Sequence, residues 1–319
     1  MNKKLKIVFF ALLLLALVVA FLNFQSLKDF FVSFTFAPSP EISAIENNLQ
    51  LTSHGKTLFR ASTPKLEQND EFNTSCKTSF VESSVLGCYT NGKIHVFHVE
   101  SAEFPGILES ITAHELLHAS WARFSESERE NLTPLLESVF AAAPAEFQST
   151  LDTYSDSEKL EEIYVRSATQ LKSLPAELEA HFATIFLDQD SVVDFYDSYI
   201  APFSALESAL SSLSAELDAI EAEIDALSAE YDTRTTQFSA AVAEFNDCAS
   251  TINCFSSYTF TTRRNELLAE QSALESLYLT LESKVAVYNE KANIYNSKVI
   301  YGQQLQNLIN PNQKLKESL

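Results

Sequence analysis

The sequence predicts a mainly α protein with a small β element, an N-terminal transmembrane helix and a long antiparallel coiled-coil hairpin. Three observations carry that expectation. The chain has 319 residues but only five glycines and nine prolines, too few for a turn-rich β protein. Its N-terminus holds an uncharged apolar run, Ile7–Phe24. Its C-terminal third repeats large apolar residues in alternating steps of four and three, the spacing of a heptad.

Lys3, Lys4 and Lys6 precede the apolar run. Eighteen residues at about 1.5 Å each span roughly 27 Å, close to the hydrocarbon thickness of a bilayer. The lysines come first, so the positive-inside rule keeps the N-terminus in the cytoplasm and sends the rest outward. Residues 1–24 are therefore expected to be a single-pass anchor in the cell membrane. The competing reading is a cleaved signal peptide. The bulky "FLNFQSLKDFF" at the end of the run offers no small-x-small cleavage site. Residues 25–40 read as a juxtamembrane connector ending in Pro38 and Pro40.

A domain is expected over 41–202. "EISAIENNLQLT" reads as a short helix. "NGKIHVFHV" follows a turn signal, Asn91-Gly92, and reads as a strand with Ile94, Val96 and His98 on one side and Lys93, His95 and Phe97 on the other. After Pro105-Gly106, "ILESITAHELLHASWARF" reads as a helix. Ser125 with Glu128, and Ser155 with Glu158, are capping boxes that start two more. Residues 101–200 are thus almost all helix. Cys76 lies close to Cys88, and Cys248 to Cys254; outside the cytoplasm each pair is expected to form a disulfide, with four unpaired thiols as the alternative. Neither pair has the CxxC spacing of a cysteine zinc site.

From Phe203 the heptad begins: Leu206, Leu210, Leu213, Leu217, Ile220, Ile224, Leu227 and Tyr231, continued by Phe238, Val242 and Phe245. "NDCASTINCFSSYTF" interrupts it. A second run holds Leu267, Leu274, Leu277, Leu281, Val285, Tyr288, Ala292, Tyr295 and Val299, with a stutter around Leu281. Two such runs joined by a short loop predict a hairpin over 203–303, each arm about 60 Å long, with Cys248 and Cys254 at its tip and a tail over 304–319. The alternative is that each helix pairs with another copy of the chain. The formal net charge of −21 excludes nucleic acid and anionic lipid surfaces as partners, since both need cationic patches. The acidic first arm reads as a solvated face, or as a surface for a basic partner.

The chemistry sits in "ITAHELLHAS". On a helix His114 and His118 are one turn apart and share a face. Two neutral imidazoles at that spacing can hold one Zn2+ ion, and Glu115 can take a proton from the water that the metal acidifies. The plainer alternative is a helix with two partly buried histidines and a surface glutamate. This arrangement resembles the zincin metallopeptidases. The resemblance implies that the strand before the motif, Lys93–Val99, is the edge that pairs with a peptide substrate. The metzincin extension is excluded, because Trp121 and Phe124 stand where it needs glycine and histidine. The gluzincin pattern takes its third ligand from a second helix after the motif. "EKLEEIYVR" is the best such helix. Glu158 is used by its cap. Glu161 and Glu162 diverge by about 100° on the helix, so only one of them is expected to face the metal. Glu162 is the choice; Glu161, Asp156 and His181 are the alternatives. Tyr154, Tyr164, Arg166 and His181 are candidate oxyanion stabilisers.

The segments "LGCYTNGKIHVFHV", "TAHELLHASWARF" and "EEIYVRSATQLKSLPAELEAHFATIF" also resemble an uncharacterised bacterial family of membrane-anchored HExxH proteins, over roughly residues 45–200. A glutamate followed by two bulky residues and a small polar stretch recurs there, which favours Glu162. The expectation is a gluzincin-like, membrane-anchored, extracytoplasmic zinc metallopeptidase, a hydrolase of peptide bonds. Its metal ligands are His114, His118 and Glu162, and its general base is Glu115. The expected partners are a peptide or protein substrate, the membrane, and a protein partner or second copy on the coiled coil. The rival is a non-catalytic envelope scaffold that works through its coiled coil and carries a structural or vestigial zinc site. A third reading is a precursor that cleaves its own connector.

Overall fold

The computed structural model describes residues 24–77, 86–152 and 154–312. The expected anchor lies outside the described residues except for Phe24. Among the described residues no helix is long and apolar enough to cross a membrane. They divide into two compact units, one up to Pro202 and from Leu305 onward, the other Phe203–Gln304.

The first unit is mostly helical around a three-stranded mixed sheet. Its strands are β1 (Lys65–Glu67), β2 (Gly87–Thr90) and β3 (Lys93–Phe97), in the order β1-β3-β2. β2 and β3 form an antiparallel hairpin. Its turn, Asn91-Gly92, has positive φ at both residues, 53° and 76°, which matches the twist of the flanking strands. β1 pairs with β3 in parallel. This overturns one expectation: Lys93–Phe97 is not an edge. Both its sides are taken, and the pairing extends past its end, where the Phe97 amide donates to Leu86 O at 2.8 Å and the His98 amide to Glu67 O at 2.9 Å. No incoming peptide can pair there.

The strand is also buried on both faces rather than one, from Ile94 to Phe97. Phe97 packs on Phe72 of the helix Asn69–Ser75, with ring centroids 5.7 Å apart. The helix Ile107–Trp121 covers the other face. His95 can sit inside because its Nδ1 is 2.7 Å from Glu67 Oε1. The Cys76–Cys88 disulfide ties the end of the Asn69–Ser75 helix to β2.

The helix Ile107–Trp121 carries the HExxH motif and is mostly enclosed. Ile111, Ala113, Leu116, Leu117 and Ala119 point to different sides of it and are all buried. Against it packs the helix Asp156–Gln170, which also touches the helix Glu126–Ala142. Both of these helices start at capping boxes, Ser125 with Glu128 and Ser155 with Glu158. The connector is itself helical over Phe24–Thr35. Beyond the second unit the chain is held again: Leu305 is buried, and Asn69 and Asn73 donate to Pro311 O at 3.0 and 2.9 Å.

The second unit contains the parts of two long helices, Gln189–Ser250 and Ser257–Leu308, that fall in Phe203–Gln304. Lys291 reaches Glu216, Lys284 reaches Glu223, Tyr278 lies 5.8 Å from Tyr231, Glu270 meets Arg234, and Phe260 packs on Phe245. Partners descend along one arm as they climb the other, so the two arms are antiparallel within one chain. The Cys248–Cys254 disulfide clasps the turn, where Asn253 takes a left-handed φ of 62°.

Candidate metal centre

His114 and His118 lie on one side of the motif helix with their Nε2 atoms 3.2 Å apart. The helix Asp156–Gln170 brings in Glu162. Its Oε1 is 3.3 Å from His118 Nε2, and its Oε2 is 3.9 Å from His114 Nε2. Tetrahedral zinc with bonds of about 2.0–2.1 Å spaces its ligand atoms by about 3.3 Å. The three side chains therefore converge as the ligands of one small cation would. Their donor atoms all lie within 4.8 Å of one another, and among the described residues this group has three members.

Glu161 has a different place from the one considered for it. Its Oε1 is 2.7 Å from His118 Nδ1. Consecutive carboxylates thus address the two nitrogens of one ring. A proton held on Nδ1 toward Glu161 leaves the Nε2 lone pair for a metal, the usual device for orienting a ligating histidine. Arg166 does the same for Glu162: its Nε donates to Oε2 at 3.0 Å, and its two other nitrogens reach Thr150 Oγ1 and the Tyr154 hydroxyl at 3.2 and 3.3 Å.

The electrostatics differ between the two rings. Burial pushes His114 down to about 3, so this ring is neutral. Burial pulls His118 the same way, but its hydrogen bonds to the Glu161 and Glu162 carboxylates and the charge of Glu115 prevail and raise it to about 10. Burial acts to raise Glu162; its bond to His118 and the nearby charges of His118 and Arg166 hold it well below the usual carboxylate range. Three carboxyl groups stand here against the Arg166 guanidinium and the His118 ring, and once His118 gives up its proton the balance suits a divalent cation.

Glu115 is buried at the foot of the motif, against β2. A Cβ on Gly87 would stand 2.7 Å from Glu115 Oε1 and 2.6 Å from Ile111 Cγ2. A glycine at this point of the strand is what gives the Glu115 carboxyl its room.

The candidate oxyanion groups have other attachments. Arg166 is bound to Glu162, and Tyr154 to Arg166. The Tyr164 hydroxyl lies 3.4 Å from Ser120 Oγ and 3.1 Å from His181 Nε2, in a cluster with Trp121, Phe124 and Phe182. Burial raises Tyr164 well above the ordinary phenol value and lowers His181. His181 is therefore turned to Tyr164, and neither it nor Asp156 belongs to the metal group. His95 is bound to Glu67, and His98 neighbours Gln68 and Glu100.

Sequence reasoning missed the roles of Gly87 and Glu161. Glu161 leaves a weak signal, an acidic pair one position apart facing an HExxH histidine. Gly87 leaves only the rarity of glycine in this chain. Comparison with protein-family models, curated proteins and solved structures finds no match.

Proposed function

We propose that this chain is a zinc metallopeptidase of gluzincin type, anchored in the cell membrane with its HExxH unit outside the cytoplasm. The observation that carries the reading is the convergence of His114 Nε2, His118 Nε2 and one Glu162 carboxylate at 3.2–3.9 Å. His114, His118 and Glu162 would hold the ion, and three protein ligands are the number a catalytic zinc site uses, where a structural site uses four. A zinc ion held there supplies Lewis acidity and makes water acidic enough to lose a proton near neutral pH. The protein's own part is then specific. Glu115 would be the base that takes a proton from the attacking water and the acid that returns it to the leaving amine. Glu161 and Arg166 hold His118 and Glu162 in position. The scaffold reading differs by a measurable feature, a fourth protein ligand on the metal.

The test pairs metal analysis of the purified full chain with a peptide-library digest. Wild type and Glu115→Gln should each carry one zinc, and the variant should lose about 10²–10⁴-fold in hydrolysis. Wild-type protein without zinc, or a variant that cleaves as fast as wild type, overturns the reading.

A further inference from the structure

The helix Phe24–Thr35 wears its apolar face outward. Leu27, Phe30, Phe31 and Phe34 follow the i, i+3, i+4, i+7 spacing of one helical stripe, and they are 44, 60, 63 and 83% exposed. On the opposite side Asp29, Val32, Ser33 and Phe36 are half-buried. Arg123 clamps that side with two bonds to Asp29, from Nε at 2.7 Å and from a terminal nitrogen at 3.0 Å. Its other terminal nitrogen donates to the Tyr89 hydroxyl at 3.0 Å and to Ala119 O at 2.7 Å. A helix on a soluble surface is turned the other way, with its apolar stripe inward. Here the Arg123 clamp and packing on the helix Ser53–Ala61 attach the inner side, and three phenylalanines are left outside.

We propose that this stripe rests at the boundary between headgroups and acyl chains of the bilayer, as an interfacial helix that holds the first unit at the membrane surface. The chain itself names the occupant. The uncharged run Ile7–Phe24 ends where this helix begins. A run that crosses a bilayer delivers the next residues to its surface, at a local lipid concentration no soluble partner can match. Exposed Phe and Leu on one face are what such helices insert. The acidity of the whole chain argues only against anionic lipid, and this contact needs none: its stripe is uncharged. Arg123 lies two residues past the motif helix Ile107–Trp121, so the clamp fixes the membrane-facing helix to the element that carries His114 and His118. On the peptidase reading, on which this second step rests, the substrates are peptide segments close to the membrane surface.

The test uses the full chain in phosphatidylcholine vesicles, with Phe31→Trp and Phe34→Trp prepared separately. The only natural tryptophan, Trp121, is buried and gives the same background in each. Acyl-brominated lipid should remove most of the added emission, and aqueous iodide should remove little of it. If iodide quenches and brominated lipid does not, the stripe faces water and the proposal fails. If neither quenches, protein covers the stripe, most simply a second copy, and the proposal fails equally. The substrate step has its own readout. A variant with Phe30→Ser, Phe31→Ser and Phe34→Ser should lose cleavage of a lipid-tethered peptide and keep cleavage of the same peptide free in solution. Equal loss on both, or no loss on either, overturns that step. Wild type that cleaves neither peptide overturns the peptidase reading, while the quenching result still decides the membrane contact.

Discussion

Charged groups are treated differently in the two units. Around the motif helix Glu46, Glu67, His95, Glu115, Glu162 and Arg166 are all buried. Along the hairpin Glu216 with Lys291, Glu223 with Lys284, and Arg234 with Glu270 form pairs that stay open to water. Apolar groups follow the same division. Between Phe203 and Gln304, among the described residues, only Leu274 is a buried hydrophobic. A charge pair therefore means different things in each place. Exposed pairs exchange one aqueous environment for another and contribute little. A buried pair cannot be opened on one side without stranding a charge in a poor solvent. The first unit holds side chains in fixed relation. The hairpin holds a shape with a shallow seam.

The strongest test of that contrast is to remove one carboxylate from each unit. Glu162→Ala removes the carboxylate that meets Arg166 Nε and His118 Nε2 in the interior. It should cost about 3–5 kcal/mol of stability and abolish zinc binding. Glu270→Ala leaves Arg234 at the surface with Glu230 still 3.0 Å away, and should leave both the unfolding midpoint and the zinc content unchanged. Thermal unfolding with metal analysis reads both. Equal losses would erase the distinction.

The pH dependence of the metal-free protein should come next. His118 is raised from 6.5 to about 10 by folding. Its contribution to stability is complete below about pH 6.5 and is lost as pH rises toward 10. His114, lowered from 6.5 to about 3, acts in the opposite sense: its contribution is complete above about pH 6.5 and is lost as pH falls. Glu162, also lowered, loses its contribution as pH falls below about 4.5. Together these groups place the metal-free optimum near pH 6.5. Zinc must expel the His118 proton, so each ion bound should release one proton, and affinity should rise about tenfold per pH unit between pH 6.5 and 8.5. Titration calorimetry in two buffers of different protonation heat counts that proton. An affinity that stays flat with pH would show that His118 carries none.

How much of this was readable beforehand depends on the range of each interaction. The capping boxes, the heptad arms and both cysteine pairs rest on contacts within a few turns or loops of chain, and local spacing reveals them. His114 and His118 are neighbours on any helix. The central position of Lys93–Phe97 was not readable, because its parallel partner is a strand of only three residues, Lys65–Glu67, with no periodicity of its own. Nor was the use of both Glu161 and Glu162. Their helical divergence is correct, but it does not say that the His118 ring sits between them. The clamp from Arg123 to Asp29 joins residues 94 apart, and the apolar stripe it turns outward has the same pattern as one turned inward.

Two glycines sharpen the comparison at smaller scale. At Gly87 a new Cβ would meet Ile111 and the Glu115 carboxyl, both enclosed by the sheet and the motif helix. Gly87→Ala should cost about 1–3 kcal/mol and, on the peptidase reading, keep its zinc and slow turnover by about 10²-fold through displacement of Glu115. At Gly302 the only near atom is the end of the flexible Leu206 side chain, 2.8 Å away. Gly302→Ala should be neutral, or should stabilise by up to about 1 kcal/mol through better helix propensity. Unfolding midpoints and single-turnover rates separate the two cases. A neutral Gly87→Ala with full turnover would mean that the Glu115 pocket is looser than its walls indicate.

The two disulfides give the most local expected effect. Cys248–Cys254 closes a sequence separation of 6, and Cys76–Cys88 one of 12. Chain entropy alone makes these worth about 2 and 3 kcal/mol, nearly the same. Their positions make the difference. Cys88 is next to Gly87 in β2, and Gly87 borders Glu115. Loosening this strand should, on the peptidase reading, reach turnover as well as stability. Cys248 and Cys254 lie at the turn of an arm pair whose contacts are mostly solvent-exposed. Replacing both of these by serine should fray the tip, seen as faster amide exchange around residues 245–260. Zinc stoichiometry and turnover should stay at wild-type values. A fall in zinc content in that variant would show that the hairpin and the metal site are one cooperative structure, and the contrast between the units would have to be given up.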